Sequence, residues 1–471
     1  MRKFLIILLL WPAAIASAQS GRTPAADTAS VNGPKAAEPT VKRLFEEANA
    51  YLKTKAAEFD AKKVSFSDKL FEQTKLEQRQ LAAKYAATVQ LRKDLAGEDL
   101  YYLGMLHWIA QNYDGAIEFL NRYVASDSPD PELAQSGRAI VVVVLAKQKK
   151  LDSAESVLSA YYKAEPKRPS ELSRMESEMA KAYQAIPDYG KMGDHARAAF
   201  TAARKALTGA ASRTRAIDEI FDAGMLVFEA LSSAGDMAAA DTSLDELRKA
   251  AIETQSPSFY YYAIDKKITY MIETGRKRDA IGLYLLALAD AMRELPTKTQ
   301  QQDAFDRLKR REVHYKLLGE PAPELTGIDQ WFPGKASSIA EMKGKVVLIE
   351  FWAMWCGPCF EAFPSLRAWH REYGPKGLEI LGMTRYYGSE VGASNQQMEI
   401  GLLKNFRTRN DLPYDFVVAK DQSDQFQFGA LALPTSILID RKGIIRYIET
   451  GTSPTRLDEM HSMIVKLLAE K

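Results

Sequence analysis

Apolar residues recur at spacings of three and four from about Val41 to Leu318, with polar residues between them, and this period predicts helix after helix. β-Branched alternation is largely absent there; Val141 to Val144 is a local run embedded in a longer helical pattern. At Gly319-Glu320-Pro321-Ala322-Pro323-Glu324-Leu325 the composition changes, and strand and helix signals then alternate. Lys345 to Trp352 reads as a buried strand, Pro358 to Tyr373 as a helix, Leu378 to Thr384 as a strand and Gln397 to Arg409 as a helix. Tyr414 to Ala419, Ser436 to Asp440 and Ile444 to Glu449 follow as strands, and Thr455 to Ala469 as a closing helix. Lys442-Gly443 is a tight turn that should join the last two strands in an antiparallel hairpin. The expected fold class is multidomain: an all-α helical-hairpin region over residues 41–318, then an α/β domain with a central mixed sheet over residues 319–471.

The helical region carries a weak internal repeat. Five segments, beginning at Gln111, Lys149, Gly193, Gly235 and Gly275, share a turn followed by an alanine: Ala116, Ala154, Ala198, Ala240 and Ala280, which stand 38, 44, 42 and 40 residues apart. The pattern resembles tetratricopeptide-type hairpins, in which a small residue early in the second helix lets it pack closely on the first. Leu103-Gly104, His107 and Tyr123 fit that motif around Ala116. The spacing exceeds the family's period of about 34 residues, and Pro129 and Pro166 match its repeat-ending proline only loosely. Such a stack either serves as a structural domain or offers a concave docking surface to a protein partner.

The first residues bear on location. Arg2-Lys3, an apolar run from Phe4 to Leu10 that continues to Ile15, and Ala16-Ser17-Ala18 together read as a secretory signal peptide (residues 1–18) cleaved after Ala18. The run is shorter than the roughly 20 residues of a membrane-spanning helix, and no cysteine follows it to carry a lipid. Residues 19–40, rich in Ala, Pro, Thr and Ser, read as a disordered tether. Removing Arg2 and Lys3 with the leader brings the formal charge of the 471-residue chain from +2 to zero, so charge makes no case for nucleic acid or anionic lipid. A soluble protein exported to a bacterial periplasm is expected.

Only two cysteines occur, Cys356 and Cys359, and each is the other's only possible partner within the molecule. A disulfide spanning two intervening residues closes almost no loop and stabilises little in the chain-entropy account, so its expected use is chemical. It lies where a strand ends and a helix begins, at the positive end of the helix dipole, which favours a Cys356 thiolate. Glu350 interrupts the apolar strand six residues earlier, where burial should raise its pKa and fit it to move a proton. Zinc fits poorly, because no second Cys-x-x-Cys exists and only His370 and His461 lie in this domain. Cys356 and His370 are no nucleophile–base pair, since fourteen helical residues span about 21 Å. His107, His195 and His314 read as packing or surface residues. The stretch Tyr386 to Asn395 is compatible with a substrate-facing insertion or a plain loop.

Gly344-Lys345-Val346-Val347-Leu348-Ile349-Glu350-Phe351-Trp352-Ala353-Met354-Trp355-Cys356-Gly357-Pro358-Cys359, followed by Pro364, Leu433-Pro434-Thr435 and Leu438 to Gly443, resembles the thioredoxin-fold proteins of the TlpA/ResA type, exported thiol-disulfide oxidoreductases. The resemblance implies a redox-active Cys356–Cys359 disulfide with Cys356 the exposed nucleophile and Cys359 the buried resolving thiol. It implies a proton-shuttling role for Glu350, where thioredoxins carry Asp. Pro434 matches the family's cis-proline, which with Leu433 offers backbone to a substrate, and Trp355 would shield the disulfide. No cofactor and no metal are implied. A client protein with a disulfide and a membrane-embedded thiol reductase as electron donor are the implied partners, with reduction or isomerisation of client disulfides as the activity. Peroxiredoxins share the fold, but their Pro-x-x-x-Thr-x-x-Cys run is absent. The alternative from another class is an interaction scaffold whose redox centre is a switch or vestige.

Overall fold

The computed structural model describes residues 38–65 and 67–470. The expected leader and most of the expected tether lie outside the described residues.

The helical period is realised in α1 (Val41–Ala61), α2 (Asp68–Gln90), α3 (Glu98–Ile109), α4 (Tyr113–Val124), α5 (Pro131–Lys147), α6 (Leu151–Lys163), α7 (Pro169–Gln184), α8 (Tyr189–Ala206), α9 (Arg213–Ser233), α10 (Met237–Thr254), α11 (Pro257–Glu273), α12 (Lys277–Glu294) and α13 (Lys298–Leu317). Their starts are chemically marked. Asn112, Asp130, Asp188, Ser212, Ser256 and Thr297 each accept a first-turn amide hydrogen bond, satisfying a donor the helix leaves orphaned. Pro131, Pro169 and Pro257 take first-turn positions where the missing N–H costs nothing. The valine run Val141 to Val144 lies inside α5 and is wholly buried, so tertiary packing overrides β propensity there.

Ala116, Ala154, Ala240 and Ala280 are each the fourth residue of an even-numbered helix, and each is 0% exposed. The same close fit shows at Gly104, where a Cβ would stand 2.7 Å from Leu120 Cγ across the α3–α4 contact. The third segment departs from the expected register. Asp188 caps α8 early, so Gly193 and Asp194 lie inside the helix rather than in a turn; Met192 takes the buried fourth position and Ala198 is only half-buried.

Contacts divide the chain into two compact units, up to Ala250 and from Ala251 onward. The second unit therefore contains α11, α12 and α13 as well as the sheet. The composition break at Gly319 is where helices give way to strands, whereas the packing break lies earlier in the chain.

The sheet strands are β1 (Ile328–Phe332), β2 (Val346–Phe351), β3 (Leu378–Arg385), β4 (Asp415–Ala419), β5 (Thr435–Ile439) and β6 (Ile445–Thr450), in the order β1-β4-β3-β2-β5-β6. β2, β3 and β4 run parallel, while β1, β5 and β6 are antiparallel to their neighbours, giving the expected mixed sheet. The β5–β6 hairpin turns through Gly443, whose φ of +85° is glycine's own region, and Asp440 accepts from the Lys442 and Ile444 amides. The helices of this region are α14 (Gly357–Tyr373), α15 (Gln396–Arg409), the short α16 (Ser423–Gln427) and α17 (Pro454–Ala469). Leu366 and Trp369 of α14, Leu403 of α15 and Ile464 and Leu467 of α17 share one core with Val346, Leu348, Ile380, Phe416 and Leu438 of the sheet. No helix among the described residues is long and apolar enough to cross a membrane.

Candidate active site

β2 is buried at every position because it is central, paired to β3 on one side and β5 on the other. Its last tie is the Trp352 amide to Met383 O at 3.0 Å. The chain then turns, with Cys356 N–H donating to Ala353 O, and Cys356 becomes the N-cap residue of α14. Cys356 and Cys359 form a disulfide with their Cα atoms 5.4 Å apart. Both sulfurs thus sit on the first turn of a helix, where amide groups and the dipole stabilise negative charge.

Cys359 is 0% exposed, and Cys356 is also buried at 3%. The exposed Cys356 implied by the resemblance is therefore not what the oxidised form presents. Its sulfur is bonded inward to Cys359, and its side chain belongs to the same cluster as Trp352, Phe363 and Tyr387. The surface around it comes from Gly357, Pro358 and Trp355, which is 52% exposed and meets Tyr387 edge-on at 5.4 Å between ring centroids. Trp352, by contrast, is a core residue, edge-to-face with Phe363 and Phe416.

Glu350 is 1% exposed and lies in β2 between Leu348 and Trp352, on the face covered by α14. Its sheet neighbours are Gly382 on β3 and Ser436 on β5. The Ser436 hydroxyl donates to Glu350 Oε2 at 2.5 Å, while among the described residues Oε1 has no hydrogen-bond partner. Burial pushes the carboxyl up to about 7, and the serine bond offsets only part of that. Gly382, lacking a side chain, lets two rings close in beside it: a Cβ there would come within 3.1 Å of both Trp352 Nε1 and Tyr414 Cε2. Tyr414 is itself raised, first by its own burial and then by the Glu350 charge, which marks the two groups as neighbours.

The Leu433–Pro434 peptide bond is cis. Thr435, the next residue, pairs with Phe351 at the end of β2, so Pro434 stands at the same end of the sheet as the turn that leads to Cys356. Pro434 is buried and its carbonyl accepts from Gly451 N–H at 2.8 Å. Leu433 is half-buried, and among the described residues its N–H and C=O have no partner. A small cavity at the carboxyl ends of β2, β3 and β4 is lined by Trp352, Thr384, Arg385, Tyr387 and Leu433, the end at which open α/β sheets receive ligands.

Several residues around the site carry no sequence signal. Glu399 of α15 is 1% exposed and accepts from the Tyr387 and Gly388 amides at 2.7 and 2.9 Å. The Arg385 guanidinium lies over the Tyr387 ring, 4.1 Å from its centroid, and Tyr386 donates to Asp329. The stretch Tyr386 to Asn395 thus forms a braced wall beside Trp355. Ser436 could have been found only by knowing the β2–β5 register, and Glu399 only by knowing what it caps.

Residues 317–464 match the Redoxin family. Thiol-disulfide oxidoreductase ResA of Bacillus thuringiensis subsp. konkukian is 29% identical over 143 residues, 30% of this chain and 75% of that protein. Thioredoxin-like protein YneN of Bacillus subtilis is 28% identical over 134 residues, 28% of this chain and 72% of its own. Among solved structures, the thioredoxin domain of a thiol-disulfide oxidoreductase from Bacteroides vulgatus aligns at 23% identity and a TM-score of 0.26, covering 32% of this chain and 97% of that one. The C-terminal third of the chain is a Redoxin domain of thioredoxin-like fold, homologous to thiol-disulfide oxidoreductases of the ResA type.

Proposed function

We propose that this protein is an exported, periplasmic thiol-disulfide oxidoreductase that reduces or isomerises disulfides in client proteins. The observation that carries the reading is the Cys356–Cys359 disulfide at the head of α14, on the sheet face where Glu350 is buried with one oxygen unpaired. In the reductive direction the Cys356 thiolate attacks a client sulfur, forming a mixed disulfide and releasing the other client sulfur as thiolate. Cys359 then gives its proton to the Glu350 carboxylate and attacks Cys356 Sγ; the second client thiolate leaves and the Cys356–Cys359 disulfide closes. A carboxyl near 7 suits this exchange because both its forms are populated at neutral pH.

The cis segment supplies recognition. The unpaired N–H and C=O of Leu433, beside exposed Leu431 and Ala432, can pair with an extended client strand, while Trp355 covers the flank. Restoring the dithiol requires a reductant, for which a membrane-embedded thiol reductase is the partner. The organisation that goes with this reading is a leader over residues 1–18, a tether over 19–40, helical hairpins over 41–318 that dock a protein partner, and a redox domain over 319–471.

The test is a trap. Cys359→Ser lacks the resolving thiol, so exported full-length protein should accumulate mixed disulfides through Cys356 that dithiothreitol releases and that Cys356→Ser/Cys359→Ser does not form. A Cys359→Ser protein with no more adducts than the double variant would defeat the proposal.

A further inference from the structure

Two buried side chains of helix α13 that the redox chemistry does not use, Arg311 and His314, reach β6 and the segment before β5. Arg311 Nη1 donates to Ile448 O of β6 at 2.9 Å and to His314 Nδ1 at 2.8 Å, and its Nε donates to Asp265 Oδ1 of α11 at 2.9 Å. Glu449 of β6 lies 3.5 Å from Nη1, so the guanidinium joins carboxylates from α11 and β6. A guanidinium can only donate, so His314 Nδ1 must be the acceptor and Nε2 must carry the proton. That N–H donates to Gly429 O at 2.8 Å. Burial first, and then the Arg311 charge, hold His314 down to about 4, in the neutral form this geometry needs.

Gly429 is the start of the segment that ends in the cis-proline. Its φ is +70°, and a Cβ on it would meet His314 Cδ2 at 3.1 Å and Leu317 Cδ1 at 3.2 Å, so backbone and helix are in close contact. Ala430 follows, buried, with its amide bonded to Gln425 O and its carbonyl accepting from the Gln425 side chain. The chain then emerges at Leu431, 61% exposed, and returns at Pro434, whose carbonyl is tied to Gly451 just beyond β6. The near end of the exposed stretch is held by His314, and the far end by a strand that Arg311 grips at Ile448 and Glu449.

We propose that Arg311 and His314 of α13 are positioning residues for the Leu431–Pro434 segment, so that the helices preceding the sheet set how well the redox centre binds a client's backbone. The inference rests on the oxidoreductase reading. It separates recognition from chemistry, because a small disulfide with no peptide strand has nothing to pair with Leu433.

The experiment uses the full chain with dithiothreitol as reductant and two oxidised substrates, insulin and hydroxyethyl disulfide. His314→Phe keeps the ring and removes both hydrogen bonds; it should raise KM for insulin about tenfold with kcat retained, and leave the rate with hydroxyethyl disulfide and the reduction potential of the cysteine pair unchanged. His314→Gln, whose amide can donate to Gly429 O, should restore most of the insulin KM. Arg311→Lys keeps a cation between Asp265 and Glu449 without reaching Ile448 O and His314 together, and should raise the insulin KM in the same direction should the phenylalanine variant not fold. An unchanged insulin KM in the folded variants, or an equal loss on both substrates, overturns the inference alone. A wild-type protein that exchanges with neither substrate overturns the oxidoreductase reading first.

Discussion

Glu350 on β2 and Glu399 on α15 are each 1% exposed, yet they are held in opposite ways. Each oxygen of Glu399 receives a backbone amide, from Tyr387 and Gly388. Glu350 receives one serine hydroxyl, and its other oxygen has no hydrogen-bond partner among the described residues. A carboxylate whose two oxygens are both taken by fixed amide donors braces the chain that donates to it. A carboxylate with a single neutral donor in a buried site favours its proton, and becomes a group that exchanges protons near neutrality. The difference between wall and centre in this domain is therefore one of donors, since burial is the same.

The sharpest way to break that contrast is Glu350→Gln, which keeps the shape and removes the titration. Resolution of the mixed disulfide at pH 7 should slow by about 100-fold, the scale of a lost general base, and the inflection near pH 7 should vanish from the rate profile. Stability should move the other way. The folded pKa of Glu350 lies near 7, above the ordinary 4.5, so its favourable contribution is fully present below 4.5 and is lost as pH rises through 7. At pH 8 the wild-type site is destabilised by about 3 kcal/mol, taking 1.36 kcal/mol per pKa unit, and the glutamine variant escapes this. Amide hydrogen exchange in β2 and β3 at pH 5 and pH 8 measures it. A glutamine variant less protected than wild type at pH 8 would show that the charge is better solvated than its orphaned oxygen implies.

Glu399→Gln tests the other half. One of its two amide partners would face an NH2 group instead of an oxygen, at a cost of roughly 2 kcal/mol. The loss should appear as faster exchange at Tyr387 and Gly388 and a lower urea midpoint, with little change in the rate of mixed-disulfide resolution. A slowed chemical step with unchanged exchange at those amides would mean that Glu399 acts on the disulfide rather than on the wall.

What the sequence revealed follows the same division. The strand that carries Glu350, the helix headed by the cysteines and the Leu433-Pro434 dipeptide are local patterns, and each element formed within a residue or two of where its periodicity placed it. Ser436, Glu399 and the Arg311–His314 pair act through partners 86, 12 and 137 residues away along the chain, and no period or propensity encodes such distances. β1 carries no strand signal, because an edge strand of five residues with two exposed positions has too little alternation. In the helical region the buried alanines were legible, but the early cap at Asp188 was not, because Gly193-Asp194 imitates the turns of the other segments. His314 reads as a packing or surface residue; its tautomer and its role come from an arginine one turn before it and a carbonyl far along the chain.

A third buried carboxylate, in the first unit, extends the contrast to a donor that can itself titrate. Glu176 on α7 is 3% exposed; one oxygen accepts from the Tyr162 hydroxyl at 2.5 Å and the other faces His195 Nδ1 at 2.6 Å. His195 Nε2 lies 3.1 Å from Glu155, and its ring stacks on Tyr183. Burial alone would lower the pKa of His195, but the bonds and charges of Glu176 and Glu155 outweigh it and raise the pKa. Its contribution is then fully present below the unperturbed value of about 6.5 and is lost as pH rises through the folded value. Above that point the ring can donate from only one nitrogen, so one of its two carboxylate contacts loses its proton, on the order of 1 kcal/mol. Exchange protection in α7 and α8, corrected for intrinsic rates, should therefore fall as pH rises across that window, and His195→Phe should remove the dependence. Protection that stays level across the window would place Glu176 with Glu399, satisfied by donors that do not titrate.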